Sequence, residues 1–214
     1  MRELKEIYYF GSFNPFHYGH KLVAICVSDH FSGCKVHITP SPCSPMKNKN
    51  DMLPIDIRMK VIETSLKSYV RSSKYNLDIS DIDIVVGEGK ETHYTYETLE
   101  VIKKNYNGDS KDIGILLGSD ELAIFDKWKN WKWIYDNFTI VVYPRRGDDI
   151  ESLLEKFPDV ELGTAKNDAD PYLYFDYSST EVRNMLKNFD ENIDILRTIY
   201  FDETLDILKL AYNG

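Results

Sequence analysis

Two histidines three residues apart follow a glycine turn in the stretch GSFNPFHYGH, residues 11 to 20. At this spacing His17 and His20 share one face of a first helical turn, beside backbone N–H groups that have no intrahelical acceptor and at the positive end of the helix dipole. An anion such as a phosphate suits that place. Gly11 and Ser12 allow close approach of the backbone, Pro15 holds off helix until after itself, and imidazole charge changes near neutral pH. Capping or packing would account for one isolated histidine. The glycine turn, the proline, the paired histidines and the intervening Gly19 fall within ten residues, and together they favour a phosphate cradle.

Other stretches offer a structural and a chemical reading side by side. YSSTEVRNML, residues 177 to 186, reads as a capping box, with Ser178 or Ser179 near the N-cap and Glu181 reaching back. The same cap gathers the Ser179 and Thr180 hydroxyls, free N–H groups and Arg183, whose guanidinium can fork onto phosphate oxygens. GILLGSDELAIFDKW, residues 114 to 128, is a strand ending at Gly118, then a small turn and Asp120. That carboxylate is either an N-cap or an acceptor for ribose hydroxyls at a strand's C-terminal end. In HYTYETLEVIKK, residues 93 to 104, Thr95 can cap a helix whose apolar face is Leu99 and Ile102.

These groups must be positioned by the elements between them. Short β-branched and aromatic runs at 6 to 10, 35 to 39, 77 to 86, 112 to 117, 138 to 143 and 172 to 176 predict strands. Helical patterns cover 18 to 31, 54 to 69, 95 to 106, 120 to 136 and 148 to 157, then STEVRNMLKNF and the tail from about 191. Strands alternating with helices imply βαβ units, hence a doubly wound α/β fold with a mostly parallel sheet, helices on both faces and a small C-terminal helical part. The expected division is a domain over 1 to 190 and a helical tail over 191 to 214 packed on it. TPSPCSPMKNKNDMLP, residues 39 to 54, reads as a long exposed loop, either a lid or substrate loop or plain surface disorder. Internal repeats and low-complexity linkers are absent from the sequence.

The chain has 214 residues, 43% hydrophobic and 29% charged, which is the balance of a globular protein with a sizeable core. No apolar run approaches the roughly 20 residues that cross a bilayer, and MRELKEIYYF lacks the order of a signal peptide. Cys26, Cys34 and Cys43 form neither a disulfide framework nor a zinc spacing, and three free thiols suit a reducing compartment, so the expected location is cytoplasmic. A net charge of −9 with scattered lysines and arginines argues against nucleic acid as the main partner, and no membrane partner is expected. A local anion site remains open, as does assembly into a homo-oligomer.

GSFNPFHYGH resembles the signature of the nucleotidylyltransferase superfamily, whose HxGH motif appears as His17, Tyr18, Gly19 and His20. Class I aminoacyl-tRNA synthetases share that pattern. The superfamily's SSTxxR motif is matched by Ser178, Ser179, Thr180 and Arg183, and the GxD motif of nicotinate or nicotinamide mononucleotide adenylyltransferases by Gly118 and Asp120. The stretch at 93 to 99 is similar to their SYTxxTL element, with His93 where serine is usual, and Trp128 matches the tryptophan that stacks on the pyridine ring. Asn14 stands where bacterial members commonly have aspartate. The resemblance implies a Rossmann-like fold and adenylyl transfer from ATP to the mononucleotide, in NAD biosynthesis, with Mg²⁺ carried on ATP. It assigns charge stabilisation to His17, His20 and Arg183. ATP contacts fall to Gly11, Ser12, Phe13, Asn14, Gly19, Lys47, Gly118, Asp120, Ser178, Ser179 and Thr180, and mononucleotide contacts to Tyr94, Thr95 and Trp128. Another superfamily nucleotidylyltransferase, such as that for phosphopantetheine, and a nucleotide-binding regulator without turnover are the alternatives.

Overall fold

The computed structural model describes residues 3 to 42, 51 to 70, 75 to 145, 147 to 164 and 177 to 213. Three strands are almost continuously apolar: β1 (Glu6–Gly11), β4 (Ile113–Gly118) and β5 (Thr139–Tyr143). Such strands are covered on both faces, which is the condition of a parallel sheet. With β2 (Lys35–Pro40), β3 (Leu77–Ile79) and β6 (Glu161–Leu162) they form one six-stranded sheet in the order β3-β2-β1-β4-β5-β6. Every pairing is parallel. The order reverses between β1 and β4, and at such a switch point the connections leave toward opposite faces and open a crevice at the carboxyl ends of the strands.

Alternate side chains of β1 feed two cores. Ile7 and Tyr9 pack with α1 (Tyr18–His30) through Ala24 and Val27, and with α2 (Ile55–Leu66) through Val61, Ile62 and Leu66. The same core takes Val182 and Leu186 of α8 (Ser179–Lys187), Leu196 of α9 (Phe189–Ile199) and Leu205 and Leu208 of α10 (Asp202–Asn213). Tyr8 and Phe10 face the other way, onto α4 (Thr95–Asn105) through Leu99 and Ile102. Leu122 of α5 (Ser119–Ala123), Ile134 of α6 (Trp131–Asn137) and Ile150 of α7 (Ile150–Lys156) complete that side.

The run at 77 to 86 is a strand only as far as Ile79, after which α3 (Ile82–Gly87) begins. A strand would place Asp83 and Val85 on one face, whereas Asp83 is 1% and Val85 60% exposed. Hydrogen bonds from His93 and Thr98 to the Asp83 carboxylate outweigh the apolar pattern there. The helix expected over 120 to 136 is α5, a 3-10 turn at Phe125–Lys127 and α6, broken at Asn130, whose φ of 56° is left-handed. The strand expected at 172 to 176 lies outside the described residues, and the two-residue β6 is too short to show a period.

Candidate active site

The turn after β1 is shaped by contacts that tolerate little change. A Cβ on Gly11 would lie 2.7 Å from the Phe13 ring, and Phe13 itself has a left-handed φ of 43°. Fully buried Arg58 ties this turn to the loop after β2. Its guanidinium donates to Ser12 O at 2.6 Å, Ser41 O at 2.8 Å, Pro42 O at 3.2 Å and Leu53 O at 3.0 Å.

α1 then starts with a reciprocal cap built from the two histidines. Gly19 N–H donates to His17 Nδ1 at 3.1 Å, and His17 N–H donates to His20 Nδ1 at 3.2 Å. Both Nδ1 atoms are acceptors, so each ring carries its proton on Nε2. The His20 ring stacks on Phe16 at 5.5 Å and meets Phe13 edge-on at 5.1 Å, while the two imidazole centroids are 3.8 Å apart. Burial lowers the His17 pKa to about 3, with the positive charge of Arg145 adding to the effect and Glu181 opposing it. The sequence suggested an imidazole that charges near neutral pH. In the fold His17 is neutral there and acts as a donor from Nε2.

The cradle opens into a cavity of about 630 Å³ at the β1–β4 switch point, a size that suits a nucleotide-scale ligand. Gly11, Ser12, Phe13, His17, Gly19 and His20 line it from the β1 side, and Gly118 and Asp120 from β4. Asp120 is no N-cap, since Gly118 holds that position. Its carboxylate pairs with Arg145 at 2.8 Å, both side chains being about half exposed. A Cβ on Gly118 would lie 2.5 Å from Asp120 Oδ1 and 3.1 Å from Arg145 Nε, so glycine is what lets the pair close.

Ser178, Ser179, Thr180 and Arg183 line the cavity from the start of α8. Ser178 is the N-cap, accepting from Glu181 N–H at 3.2 Å while Glu181 Oε2 accepts from Ser178 N–H at 2.7 Å. Arg183 forks between Asn14 O at 2.8 Å and Thr180 Oγ1 at 2.9 Å. That fork joins the turn after β1 to α8 across 169 residues. Thr95 and Trp128 form a further wall. Trp131 and Trp133 instead pack against Phe157 and Phe138.

Not every expected contact faces the cavity. Asn14 is buried and its amide serves the backbone, donating to Asp51 O at 2.8 Å and accepting from Leu53 N–H at 2.9 Å. The Tyr94 side chain does not line the cavity, and its N–H donates to Glu97 Oε2 at 2.9 Å. Lys47 lies outside the described residues. Arg145 was missed in the sequence, although it stands two residues beyond β5, the strand beside β4. Buried Ser119 seats it, accepting from Arg145 N–H at 2.7 Å while donating to Asp148 Oδ2 at 2.5 Å. Among the described residues no three His, Cys, Asp or Glu side chains gather as a metal-binding group, and no helix is long and apolar enough to cross a membrane.

This geometry agrees with what the chain is similar to. A family model described as cytidylyltransferase-like matches residues 8 to 185. A protein of Aquifex aeolicus named "Probable nicotinate-nucleotide adenylyltransferase" is 32% identical, over 82% of this chain and 99% of its own. One of the same name from Fusobacterium nucleatum is 30% identical, over 88% of this chain and 90% of its own. The fold is shared with the Plasmodium falciparum nicotinic acid mononucleotide adenylyltransferase solved in complex with NaAD, at a TM-score of 0.73 and 21% identity, covering 98% of this chain and 96% of that one. A β1 turn with its paired histidines, a GxD wall and a capped SSTxxR helix thus meet at one switch point, and the chain belongs to the cytidylyltransferase-like family, among the nicotinate-nucleotide adenylyltransferases.

Proposed function

We propose that the protein transfers AMP from MgATP to nicotinate mononucleotide, giving deamido-NAD and pyrophosphate. The observation that carries this reading is that His17, His20 and Arg183 line one cavity together with Thr95 and Trp128. A mononucleotide 5′-phosphate oxygen attacks the α-phosphorus, the new P–O bond forms as the α–β bridge breaks, and the electron pair leaves with pyrophosphate. The protein's task is alignment and charge stabilisation. His17 and His20 donate to phosphate oxygens, the α8 start and Arg183 receive the β- and γ-phosphates, and Asp120 takes ribose hydroxyls once released from Arg145. Trp128 stacks on the pyridine ring. Thr95, at the first position of α4, has an N–H with no intrahelical acceptor for the ring carboxylate.

Mg²⁺ enters on the triphosphate, because it commonly binds through substrate phosphates and keeps several waters; two of the three cavity carboxylates, Asp120 and Glu181, serve Arg145 and the α8 cap. The free thiols Cys26 and Cys34 accord with a cytoplasmic enzyme. Pyrophosphate release, followed with ATP and each mononucleotide side by side, tests the reading. Turnover with the acid exceeding that with the amide is expected. Nucleotide binding without any release would support a regulator instead, and turnover only with phosphopantetheine would assign a different acceptor.

A further inference from the structure

One polar group in the cavity wall has no part in the phosphate cradle or the Arg183 fork. Tyr9 lines the cavity yet is only 9% exposed. Its ring stands edge-on to Phe13 at 5.3 Å and tilted against His20 at 6.3 Å. Burial and nearby charges act on its hydroxyl, and among the described residues no hydrogen bond does. Other tyrosines are engaged. Tyr8 OH donates to Glu6 Oε2 at 2.9 Å, Tyr135 OH accepts from Asp159 N–H at 3.1 Å, and Tyr143, which shares the cavity wall, bonds with Cys26 and Thr164. The Tyr200 hydroxyl also lacks a partner, but it lies in the core among α8, α9 and α10. Tyr9 differs in that a molecule entering the cavity can satisfy it.

Burial pushes the pKa of this hydroxyl up, so its proton stays in place at any working pH. It therefore stands in the site as a fixed donor, and buried donors are paired as a rule. Its position decides which part of a nucleotide it meets. On the sheet Tyr9 is beside Leu116, two residues before Gly118 at the end of β4. The charges that act on it are Arg145, then Asp120 and Glu121, which follow the carboxyl ends of β5 and β4. The hydroxyl is thus on the side of the wall where Asp120 takes the ribose. A ribose hydroxyl both donates and accepts, whereas an ionised Asp120 only accepts. A donor beside it completes the set.

We infer that Tyr9 is a specificity residue for the nucleotide, its hydroxyl donating to a ribose hydroxyl of ATP whose own proton is directed at Asp120. The inference rests on the adenylyl-transfer reading, with the ribose at Asp120. Tyr9→Phe keeps the ring and removes the donor. In pyrophosphate release, kcat/KM for ATP should fall roughly three- to tenfold through KM, the worth of one hydrogen bond, with KM for the mononucleotide unchanged. Of 2′-deoxy-ATP and 3′-deoxy-ATP, the analogue lacking the recognised hydroxyl should be a poorer substrate than ATP for the unmodified enzyme by roughly tenfold or more. That analogue should lose nothing further in Tyr9→Phe. Equal losses with ATP and both analogues, or a matching rise in KM for the mononucleotide, would remove the hydroxyl from the ribose and overturn the inference. Urea unfolding of the ligand-free variant should show stability unchanged or raised, because no hydrogen bond within the protein is lost. A clearly destabilised or unfolded variant would mean that the hydroxyl is already bonded, which overturns the inference too. Calorimetry separates this contact from the reaction. An unmodified protein that binds ATP and releases no pyrophosphate refutes adenylyl transfer, and the affinities of both proteins for ATP and the deoxy analogues then decide the ribose contact by the same comparison. No binding of ATP refutes both.

Discussion

His17 and His20 each spend Nδ1 on the start of α1, which leaves Nε2 of the same ring for the proposed phosphate contact. Substitutions can separate the two. Asparagine at position 20 places a polar atom near Nδ1, and glutamine places one near Nε2. His20→Asn is expected to keep its melting temperature and lose about 10²-fold or more in kcat, the usual cost of removing one donor from a developing charge. His20→Gln should retain more turnover and lose about 1 kcal/mol of stability with the cap. Steady-state kinetics and urea unfolding check both, and equal kcat in the two variants would show that the Nε2 donor is dispensable. The sequence made these residues visible because imidazoles, a glycine and a proline at a strand-to-helix junction have few other reasons to coincide. It could not give the tautomer, which depends on which backbone N–H each ring meets. Nor could it give the protonation state of His17, which burial and Arg145 decide.

Elements carry the site through close approaches that only small residues permit. At Gly11 a methyl group would meet the buried Phe13 ring at 2.7 Å, and that ring in turn braces His20 at 5.1 Å. Gly11→Ala should therefore cost about 1 to 3 kcal/mol, the range for overpacking a filled core, and lower kcat in the same variant because the imidazole moves with the ring. Urea unfolding beside kinetics tests this, and loss of stability with full turnover would mean that Phe13 does not position His20. Short, almost continuously apolar runs made β1, β4 and β5 legible. The run at 77 to 86 was misread as one strand because its apolar residues continue to Val86, while the partners that bury Asp83, His93 and Thr98, are not yet in view. The break between α5 and α6 escaped notice because a left-handed Asn130 leaves no mark on the apolar spacing.

At the scale of the molecule, folding buries a histidine that the unfolded chain leaves in water, and this ties stability to pH. Folded His17 takes up a proton only near pH 3, while an unfolded histidine does so near 6.5. Between those values the unfolded chain binds the extra proton, so this contribution to stability is full above about pH 6.5 and is lost progressively as pH falls toward 3, at up to about 1.4 kcal/mol per pH unit. Unfolding free energies measured from pH 7.5 to 4.5 (roughly the window set by that shift) should fall less steeply in His17→Gln than in the unmodified protein. Identical slopes would mean that His17 is not held neutral by the fold. By itself the sequence determined the α/β alternation, the buried strands, the histidine turn and the cap at Ser178, because each rests on local apolar pattern, turn chemistry or capping within a few residues, while the GxD and SSTxxR assignments came from resemblance to a family. Only the tertiary structure decided the strand order, which brings β1 and β4 together and so unites residues more than a hundred positions apart. It also drew Arg145 into the cleft, turned Asn14 away to the backbone of Asp51 and Leu53, and placed His93 between two carboxylates. Those outcomes depend on which surfaces meet when the sheet twists and the helices cover it, and no local spacing encodes that.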